Sequence, residues 1–181
     1  MLQWLQNADW AVLHWIRDAL HCGVLDFLMP KITALGNGGA VWLAGAAALL
    51  FFKKYRKFGI ALLAALAIGV LVGNVFLKHL FARPRPCWLE NAALLIANPT
   101  DYSFPSGHTL SAVIAATVLS LTDYRFGLVA VPLAALIAFS RLYLFVHFPT
   151  DVLASVLLGV AIGVLTLKGV NALPQKILPF T

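Results

Sequence analysis

Five stretches of the chain are nearly free of charge. Residues 32–52, 58–77 and 107–122 contain no Asp, Glu, Lys or Arg; residues 126–145 carry only Arg141, near their end, and residues 148–167 only Asp151, near their start. A membrane-crossing helix needs about 20 apolar residues. Backbone groups in lipid must pair within their own segment, so each stretch predicts a helix. The run Leu35-Gly36-Asn37-Gly38-Gly39 predicts a turn before the first helix proper. Residues 10–29 differ: Trp10, Leu13, Ile16, Leu20, Val24 and Phe27 alternate with His14, Arg17, Asp18, His21 and Asp26. That mixture predicts an amphipathic helix, or two short ones broken near Gly23, lying at the membrane interface, with a sixth span as the alternative. The fold class is therefore all-α: a polytopic membrane helix bundle of five to six transmembrane helices with an amphipathic N-terminal segment. One domain is expected over residues 1–181, with 1–31 interfacial and 32–168 forming the transmembrane core. Gly69/Gly73 and Gly159/Gly163 have the four-residue spacing of close helix packing.

Composition agrees with this pattern. The chain is 61% hydrophobic and 11% charged, with mean hydropathy +0.89, whereas soluble domains carry about 25% charged residues. The net charge of +6 sits largely in short clusters, with no basic stripe interleaved with aromatics, so no nucleic-acid partner is expected. Asp9, Arg17, Asp18 and Asp26 interrupt any apolar core of a cleavable signal, and none is expected. Cys22 and Cys87 have no metal-ligand spacing and read as isolated thiols.

The remaining polar residues gather in three places: Lys78-HLFARP-Arg85-Pro86, Pro105-Ser106-Gly107-His108, and Ser140-Arg141-LYLFV-His147-FPT-Asp151. Polar groups are costly in a bilayer and mark function by default. In an alternating bundle, the end of the second span, the start of the third, the end of the fourth and the start of the fifth share one membrane face. All three clusters fall there. Lys53, Lys54, Arg56, Lys57, Arg125, Lys168 and Lys176 fall on the opposite face, which the positive-inside rule assigns to the cytoplasm. The expected location is the plasma or inner membrane, with the site on its extracytoplasmic side. There Cys22 and Cys87 share the oxidising face, and a disulfide between them is the alternative to two free thiols.

The residue types suit phosphate chemistry. Ser106 is a good N-cap, Gly107 lets an anion approach the first-turn N–H groups, and His108 is placed to protonate a leaving oxygen. His147 and Asp151 lie about one helical turn apart, a spacing in which a carboxylate fixes the imidazole tautomer and leaves the other nitrogen as a nucleophile. Arg141 offers bidentate contacts to phosphate oxygens, and Lys78 and Arg85 add balancing charge. An ordinary capped helix, a His–Asp pair holding a loop and snorkelling cations are the plain alternatives for each cluster taken singly. Arg83 is a weaker candidate, His79 is expected to face the interface, and His14 and His21 are expected on the amphipathic surface.

At these residues the chain resembles the type 2 phosphatidic acid phosphatase superfamily, whose signature is K-x6-RP, PSGH and SR-x5-H-x3-D. Every fixed position matches, over roughly residues 32–168. The resemblance implies His147 as nucleophile through a phosphohistidine, Asp151 as its orienting partner and His108 as general acid and then base. It implies Lys78, Arg85, Ser106, Gly107 and Arg141 as phosphate ligands, with no metal and no cofactor. The expected partners are the membrane and a lipid phosphate. The favoured reaction is hydrolysis of undecaprenyl diphosphate to undecaprenyl phosphate. Phosphatidylglycerophosphate and phosphatidic acid phosphatases and a lipid phosphotransferase are the alternatives, and a non-catalytic lipid-binding or transport protein is the remote one. A haloperoxidase would need bound vanadate, and no large soluble helical domain is visible. Trp88 and the loop to Asp101 are candidates for substrate contact by position.

Overall fold

The computed structural model describes residues 3–90 and 92–173, which are helical with no strand among them; Lys176 lies outside the described residues. Helix α1 (Gln3–Leu20) is followed by α2 (Gly23–Leu35), a turn at Asn37–Gly39 and α3 (Ala40–Phe51). Helix α4 (Arg56–Gly69) continues through a π-helical stretch, Val70–Leu77, into α5 (Lys78–Phe81). A short α6 (Pro86–Leu89) precedes an irregular loop, and then come α7 (Gly107–Thr122), α8 (Tyr124–Tyr143) and α9 (Pro149–Ala172).

The helix ends follow local chemistry. Gly38 and Gly39 adopt φ of 57° and 71°, a left-handed turn that glycine enters without steric cost. Ser106 caps α7, its side chain accepting from Thr109 N, and Asp123 caps α8 by accepting from Arg125 N at 3.0 Å. Helix α9 opens on Pro149, whose fixed φ suits a first turn, and Asp151 reaches back to accept from Phe148 N at 2.8 Å.

Three helical runs are long and apolar enough to cross a membrane: Lys53–Leu89, Tyr124–Tyr143 and Pro149–Ala172. The pair Gly23–Leu35 and Asn37–Phe51 reaches that length and apolarity only when its two helices are taken together, and they turn by 45° at the glycine break. Helix α7 has 16 residues, about 24 Å at 1.5 Å per residue, shorter than the hydrocarbon core. It packs against α3, α4, α8 and α9, with Ala112, Ile114, Ala115 and Val118 fully buried. The bundle thus surrounds a short central helix.

Both glycine pairs serve close packing against α7. A Cβ at Gly73 would stand 2.3 Å from Leu110 Cδ2, and one at Gly69 2.5 Å from Ile114 Cδ1. Added carbons at Gly159 and Gly163 would meet Val113 at 2.9 Å and Thr117 at 3.0 Å. Packing of this kind replaces the hydrophobic drive that lipid does not supply.

The N-terminal region divides at His21 and Cys22, close to the expected break. Its second half, α2, is the first arm of the bent pair. Helix α1 buries Asp9, Leu13 and Ile16, spaced as one helical face, against α8 and α9. His14 is half-buried and His21 exposed, in line with the expected surface placement, and both have partners there. His14 Nε2 pairs with Glu90 at 2.8 Å, and His21 stacks on Tyr143 with ring centroids 4.1 Å apart. Cys22 and Cys87 are free thiols, the first exposed and the second buried; Cys87 Sγ donates to Asn98 Oδ1 at 3.6 Å. The disulfide alternative is therefore not the arrangement found.

Candidate active site

The three clusters meet around a single cavity of about 910 Å³. Lys78, Arg85, Gly107, His108, Arg141 and His147 line one end of it. Leu43, Leu63, Leu66, Ala67, Val70, Leu110 and Ile114 line the other. Two sequence candidates stand apart. Asp151 is fully buried behind His147, and Ser106 is fully buried beneath the start of α7. The Ser106 hydroxyl is engaged with Thr109 Oγ1 at 2.9 Å, and its N–H donates to Ser155 Oγ at 2.9 Å. Ser106 thus fixes where α7 begins instead of facing the cavity. Gly107 is needed for space: a Cβ there would stand 2.8 Å from Asn74 Oδ1.

His147 lies in the connection between α8 and α9, where Leu144, Phe145, Val146 and Phe148 are all buried. Phe145 holds φ of 58°, a conformation that costs a bulky residue about 1–2 kcal/mol. Packing maintains it: Trp10 and His14 of α1 lie 6.0 Å and 6.3 Å from its ring. Arg85 Nη1 donates to His147 Nε2 at 3.0 Å and to Val146 O at 2.7 Å. A guanidinium can only donate, so Nε2 presents its lone pair and the ring proton sits on Nδ1. That nitrogen faces Asp151 Oδ2 at 3.7 Å, an ion-pair separation longer than a hydrogen bond. Burial, reinforced by the Arg85 and Arg141 charges and opposed by Asp151, lowers the His147 pKa to about 3. The imidazole is therefore neutral and nucleophilic across the ordinary pH range.

His108 Nε2 donates to Asn37 Oδ1 at 2.9 Å, from the break between α2 and α3. Its ring packs so closely on Gly36 that a Cβ there would stand 2.9 Å from His108 Cδ2. Arg141 Nη1 donates to Thr33 Oγ1 at 2.5 Å, while its Nε is buried without a partner, as is Asn74 Oδ1. Unpaired buried polar groups are costly, and both belong to residues that line this cavity. Arg141, Arg85 and Lys78 can therefore enclose a tetrahedral oxyanion, with the first-turn N–H groups of α7 beside them.

An internal carboxylate occupies part of that cationic end. Asp101 Oδ1 accepts from Arg85 Nη2 at 2.7 Å, and Asp101 Oδ2 pairs with Lys78 Nζ. Burial opposes its ionisation, but the hydrogen bond from Lys78 and the charge of Arg85 lower its pKa to about 2. It competes with any bound oxyanion at every working pH. Asp101 is 56% exposed, so solvent screens the pair, and such a pair is worth about 0.5–1 kcal/mol. Asp101→Asn is expected to tighten competitive inhibition by orthophosphate by about two- to fivefold. Unchanged or weaker inhibition would show that Asp101 serves to position Lys78.

Several site residues escaped the sequence reading. Thr33 and Asn74 sit in apolar runs without a recognisable motif, and their signal is a polar side chain inside a predicted span; Asn37 was legible only as part of the glycine turn. Trp88 is not part of the lining; its Nε1 donates to Asn98 Oδ1 at 3.2 Å and Pro99 O at 3.1 Å, fastening the loop whose Asn98–Asp101 end reaches the cavity. His79 is exposed, as expected, its Nδ1 bonding Val75 O. Arg83, ranked low, is buried at 5% exposure beside Asp151.

Comparison with known proteins places this geometry. The undecaprenyl-diphosphatase of Sulfolobus acidocaldarius is 39% identical over 84% of this chain and 74% of its own length. The undecaprenyl-diphosphatase BcrC of Bacillus subtilis is 31% identical over 80% of this chain and 75% of its length. The crystal structure of a transmembrane PAP2 type phosphatidylglycerolphosphate phosphatase from Bacillus subtilis superposes with a TM-score of 0.74 at 28% identity, covering 96% of this chain and 87% of that one. The model of the PAP2 superfamily matches residues 58–174. That region holds all three clusters and is more than half of the chain, so the chain belongs to the PAP2 superfamily and is a membrane lipid phosphatase.

Proposed function

We propose that the chain hydrolyses a polyprenyl diphosphate, with undecaprenyl diphosphate as the favoured substrate, to the monophosphate and orthophosphate. The observation that carries this reading is the two-part cavity: a cationic end continuous with an apolar flank from α3, α4 and α7. Such a site suits an amphiphile whose headgroup is anionic and whose tail is hydrocarbon. The relatives named for undecaprenyl diphosphate are 39% and 31% identical, against 30% for the phosphatidylglycerophosphatase B of Bacillus subtilis. That ranking supports the diphosphate first and phosphatidylglycerophosphate and phosphatidic acid after it.

His147 is the nucleophile in this reading. Its Nε2 lone pair attacks the terminal phosphorus, the bond to the bridging oxygen breaks, and His108 delivers a proton to that oxygen. The Nδ1 proton stays opposite Asp151, whose charge balances the ring as Nε2 becomes phosphorylated. Arg85 exchanges its contact with Nε2 for one with a phosphoryl oxygen, joining Lys78, Arg141 and the Gly107 end of α7. Water, deprotonated by His108, then attacks the phosphohistidine; orthophosphate leaves and the lone pair is restored. Lys53, Lys54, Arg56, Lys57, Arg125 and Lys168 lie at the helix ends away from His147. The positive-inside rule then supports a site open to the extracytoplasmic side of the cell membrane.

The test is orthophosphate release in detergent, with EDTA present, from undecaprenyl diphosphate, phosphatidylglycerophosphate and phosphatidic acid. Fastest turnover of the diphosphate, unaffected by EDTA, is expected. A faster monoester would move the assignment to that lipid, and no release by folded protein from any of the three would sink it. Label appearing in a second lipid instead of in orthophosphate would identify a phosphotransferase.

A further inference from the structure

The N-terminal helix precedes the family-matched region, which begins at residue 58, yet it contributes a buried carboxylate to the ground behind His147. Asp9 is 1% exposed. Its Oδ2 accepts from Arg83 Nη2 at 2.7 Å and from Thr150 Oγ1 at 2.6 Å, and its Oδ1 from Thr150 N at 2.9 Å. The other end of the same guanidinium reaches Asp151: Arg83 Nη1 donates to Asp151 Oδ1 at 2.5 Å. Arg83 also lies over the Phe148 ring, 4.0 Å from its centroid. One cation thus joins two buried carboxylates, one on α1 and one on α9.

We infer that Arg83 and Asp9 are positioning residues for the reaction, acting on His147 through Asp151. Asp151 Oδ2 is held by Ser103 Oγ at 2.5 Å and Phe148 N at 2.8 Å, and it is this oxygen that faces His147 Nδ1. Arg83 holds the remaining oxygen and so prevents the carboxylate from rotating about its terminal torsion, which is otherwise broad. Charge explains why Asp9 is needed as well. Arg83 alone would cancel Asp151 and leave nothing to balance a cationic imidazole. With Asp9 the three groups sum to −1, the charge that a phosphorylated or protonated His147 requires. A buried carboxylate without a partner is costly, so Asp9 on α1 fixes that helix to the site as firmly as the site depends on it.

The inference rests on the His147 nucleophile reading, and its test separates the two. Turnover and orthophosphate inhibition are measured for Arg83→Gln, Arg83→Lys, Asp9→Asn and the double variant Arg83→Gln/Asp9→Asn, beside His147→Ala. Removing a group that orients a catalytic histidine's partner costs about 10- to 100-fold. Arg83→Gln is expected to lower kcat by that factor with KM and the orthophosphate inhibition constant within about twofold of wild type, since Lys78, Arg85 and Arg141 are untouched. Arg83→Lys, which keeps the charge but not the two-sided fork, should recover part of the loss. Asp9→Asn should lower kcat in the same way and add little on the Arg83→Gln background, because it acts through Arg83. If Arg83→Gln does not fold, Asp9→Asn decides alone. Wild-type kcat in a folded variant, or parallel loss of kcat, inhibitor affinity and thermal stability, overturns the inference. If His147→Ala itself turns over normally, the underlying reading fails instead.

Discussion

His147→Ala is expected to lose phosphate release by at least about 10⁴-fold, the scale on which enzymes fail when a covalent nucleophile is removed. Of the two cavity histidines, only His147 has its free ring nitrogen held against a cavity guanidinium. Lys78 is engaged by Asp101, His108 donates to Asn37, and the arginines are permanently cationic. His147 Nε2, by contrast, points its lone pair at the guanidinium that must later hold the phosphoryl group. The variant should still bind orthophosphate, because Arg85 keeps Val146 O and Asp101 as anchors. It should form no acid-labile, radiolabelled phosphoenzyme from substrate labelled in its terminal phosphate. Retained turnover with labelled protein would place the nucleophile elsewhere; retained turnover without labelling would mean direct attack by water. The low His147 pKa adds a pH statement. A group neutral above about pH 3 does not set an acid limb of kcat/KM near neutrality, so an acid limb found there belongs to another group or to the substrate.

The site was legible to the extent that helix ends are legible. Lys78, Arg85, Gly107, His108, Arg141 and His147 lie at boundaries between apolar runs, and an alternating bundle brings those boundaries together whatever its detailed packing. The small-residue pairs were readable for the same reason: a spacing of four puts both glycines of each pair on the face that meets α7. What lay beyond the pattern was partner choice. Asp9 and Asp18 are both acids in one amphipathic helix, yet Asp9 is buried and Asp18 is 74% exposed. The difference is made by Arg83, 74 residues away, which no local period encodes. The π-helical stretch at Val70–Leu77 was hidden as well. A changed backbone register leaves composition untouched, although Asn74 within an apolar run marked the place where such distortions serve function. The bend between α2 and α3 was signalled by its glycines. That it would deliver Asn37 to His108 followed only once α7 was seen to be short and central.

His108→Ala should separate the two halves of the reaction and, with them, the two classes of substrate. A general acid contributes about 10²- to 10⁴-fold, and its share grows as the leaving group becomes more basic. In a diphosphate the departing oxygen belongs to a phosphate, which leaves readily as an anion. In a phosphate monoester it belongs to an alcohol, which leaves poorly unless protonated. His108→Ala is therefore expected to slow phosphoenzyme formation from phosphatidic acid or phosphatidylglycerophosphate far more than from undecaprenyl diphosphate. Hydrolysis of the phosphohistidine loses its general base with every substrate and should slow equally for all. With the diphosphate, the variant should then accumulate labelled phosphoenzyme and release one equivalent of polyprenyl phosphate in a burst before a slow steady state. With the monoesters, no burst should appear. Rapid-quench measurement of both products distinguishes the cases. Equal slowing of the first step for all three lipids would remove His108 from the leaving-group side and confine it to activation of water. A variant with unchanged rates would leave Asn37 and His108 as a packed pair at the helix bend with no part in proton transfer.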